Sequence, residues 1–277
     1  MLTPPRELPA DLLRTVIAES WNLDVEGLDY LPVGFGSHHW KIGETWFVTA
    51  DDKPHEALAA ALSAVPPSVG VAPAAPLVTV GRWTLQLYPY LTGESFAWGE
   101  FSSPEHRAET LRMVREVHRS PFCQARLDTF RIHGRDAALA FTPGRGPFGA
   151  RAADLLASRA EVLETRFRRY DALVRDALNL RDRMVLTHGE PHPGNTMRTT
   201  EGWRLIDWDT ALISHPERDL WLLGETEGAL PWLLDLYGLR WRLSDVAAEA
   251  GRFSRDHTGT EDDAFGWTIL RDTVNDL

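Results

Sequence analysis

The residues best suited to chemistry fall in one short stretch. It reads His188-Gly189-Glu190-Pro191-His192-Pro193-Gly194-Asn195 and is followed by Trp203-Arg204-Leu205-Ile206-Asp207-Trp208-Asp209. Three readings are open to it. His188, Glu190 and His192 could ligate a metal, but setting two histidines on one face at that spacing takes a helix, and Gly189, Pro191, Pro193 and Gly194 oppose one. A purely structural loop would satisfy its own backbone, yet it gives no reason for an acid, an asparagine five residues on and an aspartate twelve beyond that. Phosphoryl transfer does. It needs an acid beside the acceptor hydroxyl, then an asparagine and a second acid offering hard oxygens to magnesium. Glu190, Asn195 and Asp207 fall in that order, with strands expected between them.

The elements around this stretch follow from periodicity. Met184–Thr187, Thr196–Arg198 and Trp203–Ile206 read as short strands whose ends carry the polar groups. Upstream, Ala10–Leu23 has the spacing of an amphipathic helix. Leu28–Val33, Ser37–Ile42 and Thr45–Ala50 read as strands, turned at Gly34-Phe35-Gly36 and Gly43-Glu44. His55–Ala64 reads as an inserted helix, and Leu77–Val80 with Trp83–Tyr88 as a hairpin. Composition changes at Pro89–Gly99, a linker. Ser103-Pro104 then starts a helix to about Arg119, serine as cap and proline at the first position. Arg151–Leu180 reads as one long helix, and Leu220–Glu225, Ala229–Tyr237, Leu243–Phe253 and a piece from Asp262 as further helices. The expected organisation is therefore an α+β chain: a β-rich lobe over residues 1–90 and a larger helical lobe over 91–277 carrying the catalytic stretch.

Composition bounds the function. The 277 residues are 43% hydrophobic and 25% charged, ordinary for a globular chain, so disordered and collagen-like classes are out. No apolar run approaches the ~20 residues that span a bilayer, and the first residues lack the apolar core of a secretory signal. A cytoplasmic protein without membrane association is expected. The lone Cys123 excludes an internal disulfide and a cysteine-rich zinc site, and reads as a small packed residue. The formal charge of −11 argues against a general nucleic-acid binder and favours cationic partners at long range.

His188 to Asn195, Leu205-Ile206-Asp207-Trp208-Asp209 and Pro216-Glu217-Arg218-Asp219-Leu220-Trp221 together resemble the aminoglycoside phosphotransferase family, also called the phosphotransferase enzyme family. The Ile-Asp-Trp-Asp and Glu-Arg-Asp-Leu segments are most similar to its spectinomycin phosphotransferase-like branch. The resemblance implies a protein-kinase-like fold of two lobes, a small antiparallel N-lobe and a helical C-lobe, with Mg2+ and ATP between them. It implies transfer of the γ-phosphoryl group to a hydroxyl of a small molecule. By position, Glu190 stands for the family's catalytic acid, Asn195 and Asp207 for its magnesium ligands, and Asp209 for a second metal ligand or a substrate contact. His188 and Asp219 stand for residues that brace the loop. Gly34, Gly36 and Ser37 fall where a glycine-rich turn covers the phosphates. Leu87, Tyr88 and Tyr90 fall on the hinge, whose backbone would bond adenine.

Two positions depart from the family pattern. The catalytic acid is Glu190 rather than aspartate, which moves the carboxylate by roughly a bond length. The lysine expected on the third strand is replaced by Thr49; Lys41 on the neighbouring strand, or Lys53 just after, is left to supply the charge, with Glu56 as its partner. On the acceptor side, the carboxylates Glu225, Glu227, Glu261, Asp262 and Asp263 suit a cationic ligand such as an aminocyclitol antibiotic. Trp221, Trp232, Trp241 and Trp267 divide between stacking and core roles. A metabolic kinase of the same family and a nucleotide-binding pseudokinase are the alternatives.

Overall fold

The computed structural model describes residues 3–34, 37–52, 56–121 and 124–277. It forms two compact units, Met1–Leu127 with Val185–Ser214, and Asp128–Met184 with His215–Leu277. The first unit contains, besides the N-terminal sheet, the whole stretch from His188 to Asp209.

In the first unit, helix α1 (Ala10–Trp21) precedes strands β1 (Leu28–Leu31), β2 (His38–Ile42) and β3 (Trp46–Asp51). Helix α2 (Glu56–Ala64) is followed by β4 (Val78–Val80) and β5 (Trp83–Pro89). These strands make one antiparallel sheet in the order β1-β2-β3-β5-β4. Alternation fixes its faces. Trp40, Ile42, Val48, Ala50, Leu85 and Leu87 pack with Leu13 and Ile17 of α1 in a buried cluster. The opposite face carries Lys41, Thr49, Asp51, Gln86 and Tyr88, so the polar residues of β2, β3 and β5 share one surface. The hairpin turn before β3 puts Gly43 at φ 54°, and that before β5 puts Gly81 at φ 60°, both in the left-handed region open to glycine.

The chain continues through β6 (Gly93–Ser95) and α3 (Pro104–His118). The Ser103 side chain accepts from the His106 N–H and so caps α3 as its sequence predicts. Strand β7 (Val185–Thr187) pairs with β10 (Leu212–Ser214), and β8 (Thr196–Thr199) lies between β6 and β9 (Gly202–Leu205).

The second unit is helical: α4 (Arg135–Leu139), α5 (Gly149–Ser158), α6 (Ala160–Ala177), α7 (Glu217–Leu220), α8 (Pro231–Phe253) and α9 (Glu261–Asp276). Its core gathers Leu163, Phe167, Tyr170, Leu233, Tyr237, Phe253 and Leu270. Two expectations are corrected here. The single helix over Arg151–Leu180 is two, α5 and α6, broken at Arg159 (φ −120°, ψ 12°). There the Ser158 hydroxyl turns back to donate to the Leu155 carbonyl at 2.7 Å, the local competition that weakens serine inside helices. Conversely, the segments expected at Ala229–Tyr237 and Leu243–Phe253 are one helix, α8, running through Gly238, which lies against the Trp221 indole. Among the described residues no helix is long and apolar enough to cross a membrane.

Candidate active site

The loop from His188 to Asn195 leaves the end of β7, where apolar strand residues stop. Gly189 takes φ 104°, a conformation that strains any residue with a β-carbon. His188 is fully buried and bonds on both sides. Its Nδ1 accepts from the Glu190 N–H at 3.2 Å, so the proton sits on Nε2, which donates to the Ile206 carbonyl at 2.9 Å. The ring also packs on Trp208, centroids 4.6 Å apart. Asn195 closes the loop. Its Nδ2 donates to the Glu190 carbonyl at 3.0 Å, and its own carbonyl accepts from the Ile206 N–H at 3.0 Å. Glu190, Asn195 and the residue before Asp207 are thus held by one hydrogen-bonded frame.

Helix α3 supports this frame from beneath. His106 Nε2 donates to Thr196 Oγ1 at 2.7 Å, and that hydroxyl donates to the Pro193 carbonyl at 2.6 Å. Ser102 Oγ lies 3.0 Å from His106 Nδ1 and fixes the ring from the other side. The His106 ring stacks on Trp203 at 4.7 Å. His106 was not singled out from sequence. A histidine three residues past a helix cap carries no spacing signal, and its partner is ninety residues away.

Asp207 is the strained residue of the site, with φ 61° in a non-glycine position. Such backbone is costly by about 1–3 kcal/mol and persists where surroundings hold it. Its side chain is open to solvent yet closely surrounded by protein. That crowding, then the neighbouring Asp209 and Glu190 carboxylates and a hydrogen bond with Asp209, holds the Asp207 carboxyl well above the usual carboxylate range. Negative charge concentrated in this way is complementary to a divalent cation. Among the described residues no group of three or more His, Cys, Asp or Glu side chains is placed to hold a metal. The available set is one amide oxygen, Asn195 Oδ1, and the Asp207 carboxylate. That set fits Mg2+ when phosphate oxygens complete the shell, the usual manner in which magnesium binds nucleotides.

The polar face of the N-terminal sheet belongs to the same unit. Thr49, where the strand lysine is missing, lies opposite Gln86 in the β3–β5 register. Gln86 is 1% exposed; its Oε1 accepts from the Tyr88 hydroxyl at 2.7 Å while its Nε2 is buried without a partner. Burial and the Asp207 and Asp209 charges push the Tyr88 phenol up. Asp51 accepts from Ser37 Oγ at 3.0 Å. Lys41 lies 2.7 Å from Glu44 and 4.5 Å above the Tyr90 ring. Leu87 has its side chain in the core, and its carbonyl accepts from the Ala74 N–H; the Tyr90 N–H donates to the Thr45 carbonyl. Gly34 takes φ 71° beside the His39 ring. Gly36, Lys53 and Cys123 lie outside the described residues, and of Glu56 only the backbone, at the start of α2, is described.

The remaining expected residues lie in the second unit. Asp219 is fully buried in α7. Asp263 caps α9, accepting from the Thr260 N–H at 2.9 Å within a capping box. Glu225 accepts from the Glu227 N–H at 2.9 Å. Trp267 belongs to the core, Trp221 and Trp232 pack against it, and Trp241 packs on Trp221 with centroids 5.7 Å apart. The most exposed tryptophan is one not singled out from sequence, Trp98, at 67%.

Comparison with known proteins bears on the family and the fold. The phosphotransferase enzyme family matches residues 53–253. Protein StrN of Streptomyces griseus is 40% identical over 94 residues, a stretch that is 32% of this chain and 29% of that protein. Among solved structures, a spectinomycin phosphotransferase in complex with ADP and spectinomycin superposes with a TM-score of 0.66 at 14% identity, covering 97% of each chain. The amicoumacin kinase hAmiN, in complex with AMP-PNP and Ca2+, gives a TM-score of 0.62 at 11% identity, over 98% of this chain and 94% of that one. Both likenesses are of fold, and the fold is kinase-like. The chain belongs to the phosphotransferase enzyme family.

Proposed function

We propose that this protein is an ATP-dependent small-molecule kinase whose acceptor is a hydroxyl of an aminocyclitol-like antibiotic. The observation that carries the reading is the frame linking Glu190, Asn195 and Ile206 through His188. It fixes the candidate acid and the candidate metal ligands relative to one another within one compact unit. The acidic balance of the chain supports a cationic acceptor, and the names of the related enzymes support an antibiotic.

In this mechanism Glu190 hydrogen-bonds the acceptor hydroxyl and orients its oxygen toward the γ-phosphorus. The new O–P bond forms as the bond from γ-phosphorus to the β,γ-bridging oxygen breaks, and the hydroxyl proton passes to the Glu190 carboxylate. Proton transfer is late in such loose transition states, so position counts for more than basicity. Asn195 and Asp207 would hold Mg2+, which when bound supplies neutralising charge at the phosphates; Asp209 would serve a second ion or the acceptor. On the nucleotide side, the segment after Tyr88 would receive adenine, because the Tyr88 backbone pairs with Phe47 and the Leu87 carbonyl and Tyr90 N–H are already bonded. Lys41 is the candidate cation. Gln86 Nε2, opposite Thr49, is the neutral donor nearest the missing lysine in register.

The test is incubation with Mg2+, ATP and spectinomycin, streptomycin or hygromycin B, followed by 31P NMR. A new phosphate monoester resonance is expected with at least one of them. ATP consumption with none, but with a sugar or amino alcohol, would move the acceptor to metabolism.

A further inference from the structure

Beside the catalytic loop the structure presents an aromatic side chain that the mechanism above does not use. Trp98 lies in the segment after β6, in the same compact unit as Glu190. Its neighbours anchor that segment. Phe96 packs on the His106 ring at 4.2 Å and on Trp203 at 5.5 Å, and Phe101 meets His106 edge-on at 5.0 Å. Between these two anchors Trp98 stays 67% exposed, although an indole gains much from burial. Its backbone runs close over Gly194, where a β-carbon would stand 3.3 Å from the Trp98 nitrogen and 3.2 Å from His192 Nδ1. Glycine at 194 is what lets the segment lie against the loop. The Trp98 ring then meets the His192 ring edge-on, centroids 6.3 Å apart and planes at 64°. His192 is two residues from Glu190, and its Nδ1 is buried without a hydrogen-bond partner, a condition native proteins rarely leave unexplained.

We propose that Trp98 and His192 form an acceptor-side subsite that takes a saturated, hydroxylated ring. The proposal rests on the assignment of Glu190 as the acid that orients the acceptor. A ring of this kind has an apolar C–H face for the indole and polar edges for the groups around it. It can therefore lie on Trp98 and present a hydroxyl toward Glu190, with the edge of the His192 ring beside it. The single aromatic face favours a ring over a quaternary ammonium, which is typically held by an aromatic cage.

The experiment uses the full chain labelled with 5-fluorotryptophan, the Trp98 19F resonance being identified with Trp98→Phe. The probes are spectinomycin, myo-inositol, choline and Mg·AMP-PNP, each alone and, for the first three, with Mg·AMP-PNP present. A ring probe at about 10 mM or below is expected to shift the Trp98 resonance. Trp98→Ala should weaken that probe by roughly tenfold or more, and Trp98→Phe should recover most of the loss. The proposal is overturned if no ring probe moves the resonance, if choline alone moves it, or if Mg·AMP-PNP alone moves it as far as the ring probe does. The last result would give Trp98 to the nucleotide. Hydrolysis of ATP by the unlabelled protein is read separately. A ring-dependent shift without any ATP turnover would leave the subsite standing and overturn the kinase assignment, whereas turnover without a shift would do the reverse.

Discussion

His188 Nε2 donates to the carbonyl of Ile206 at 2.9 Å while its Nδ1 accepts from the Glu190 N–H. One neutral imidazole therefore ties the residue proposed as the acid to the residue that precedes Asp207. The link explains how a loop rich in glycine and proline keeps a fixed geometry. His188→Ala removes both bonds and leaves the partly buried Ile206 carbonyl without this partner, a loss of about 1–3 kcal/mol. Chemical denaturation should read that loss, and kcat for ATP turnover should fall by roughly tenfold or more, because misplacement by an ångström is costly at a reacting centre. Unchanged kcat in a folded variant would contradict the frame's role.

Glu190→Gln keeps the size of the side chain and removes its ability to take a proton. We expect kcat to fall by about a hundredfold or more, with Mg·AMP-PNP affinity, measured by calorimetry, changed by less than about threefold. Near-normal turnover by Glu190→Gln would remove Glu190 from its proposed role.

Gly238 gives a prediction in the opposite direction. A β-carbon there would stand 3.4 Å from the Trp221 ring, an ordinary contact, and the residue is interior to α8. Gly238→Ala is therefore expected to stabilise the protein by up to about 1 kcal/mol through helix propensity. A lowered melting temperature would show that the Trp221 packing has less room than its distance implies.

These cases show what the sequence made legible. The strands that bracket the candidate site could be read because their signals are local: Glu190, Asn195 and Asp207 lie within eighteen residues, and strand periodicity sets them off. The sheet could be read because its turns carry glycine. Helix boundaries in the second unit could not. Gly238 has a breaker's identity but is accommodated by its neighbour, and Arg159 looks helical but follows a serine that bonds backward. His106, Gln86 and Trp98 were missed for a common reason. Each owes its importance to a partner far away in sequence or to burial, neither of which has a signature in spacing.

Asp245, on α8, has a carboxyl raised to about 7 by burial and then by the Glu249 charge. An acid whose folded-state value exceeds its unfolded value of 3.8 takes up a proton on folding. Its contribution is therefore fully present below about pH 4 and is lost as pH rises through 7. Asp245→Asn should remove that pH dependence and stabilise the protein at pH 8 by roughly 1–3 kcal/mol. Melting temperatures of both proteins between pH 5 and pH 8 check this. Parallel curves would mean that Asp245 is not the titrating group.

The central claim, that this unit holds a nucleotide through Asn195 and Asp207 although the strand lysine is absent, is tested most directly by calorimetric titration with AMP-PNP, with and without Mg2+. The account predicts binding that strengthens by at least about tenfold with Mg2+, with Asp207→Asn losing that gain. Magnesium-independent binding, or none at millimolar nucleotide, would contradict it.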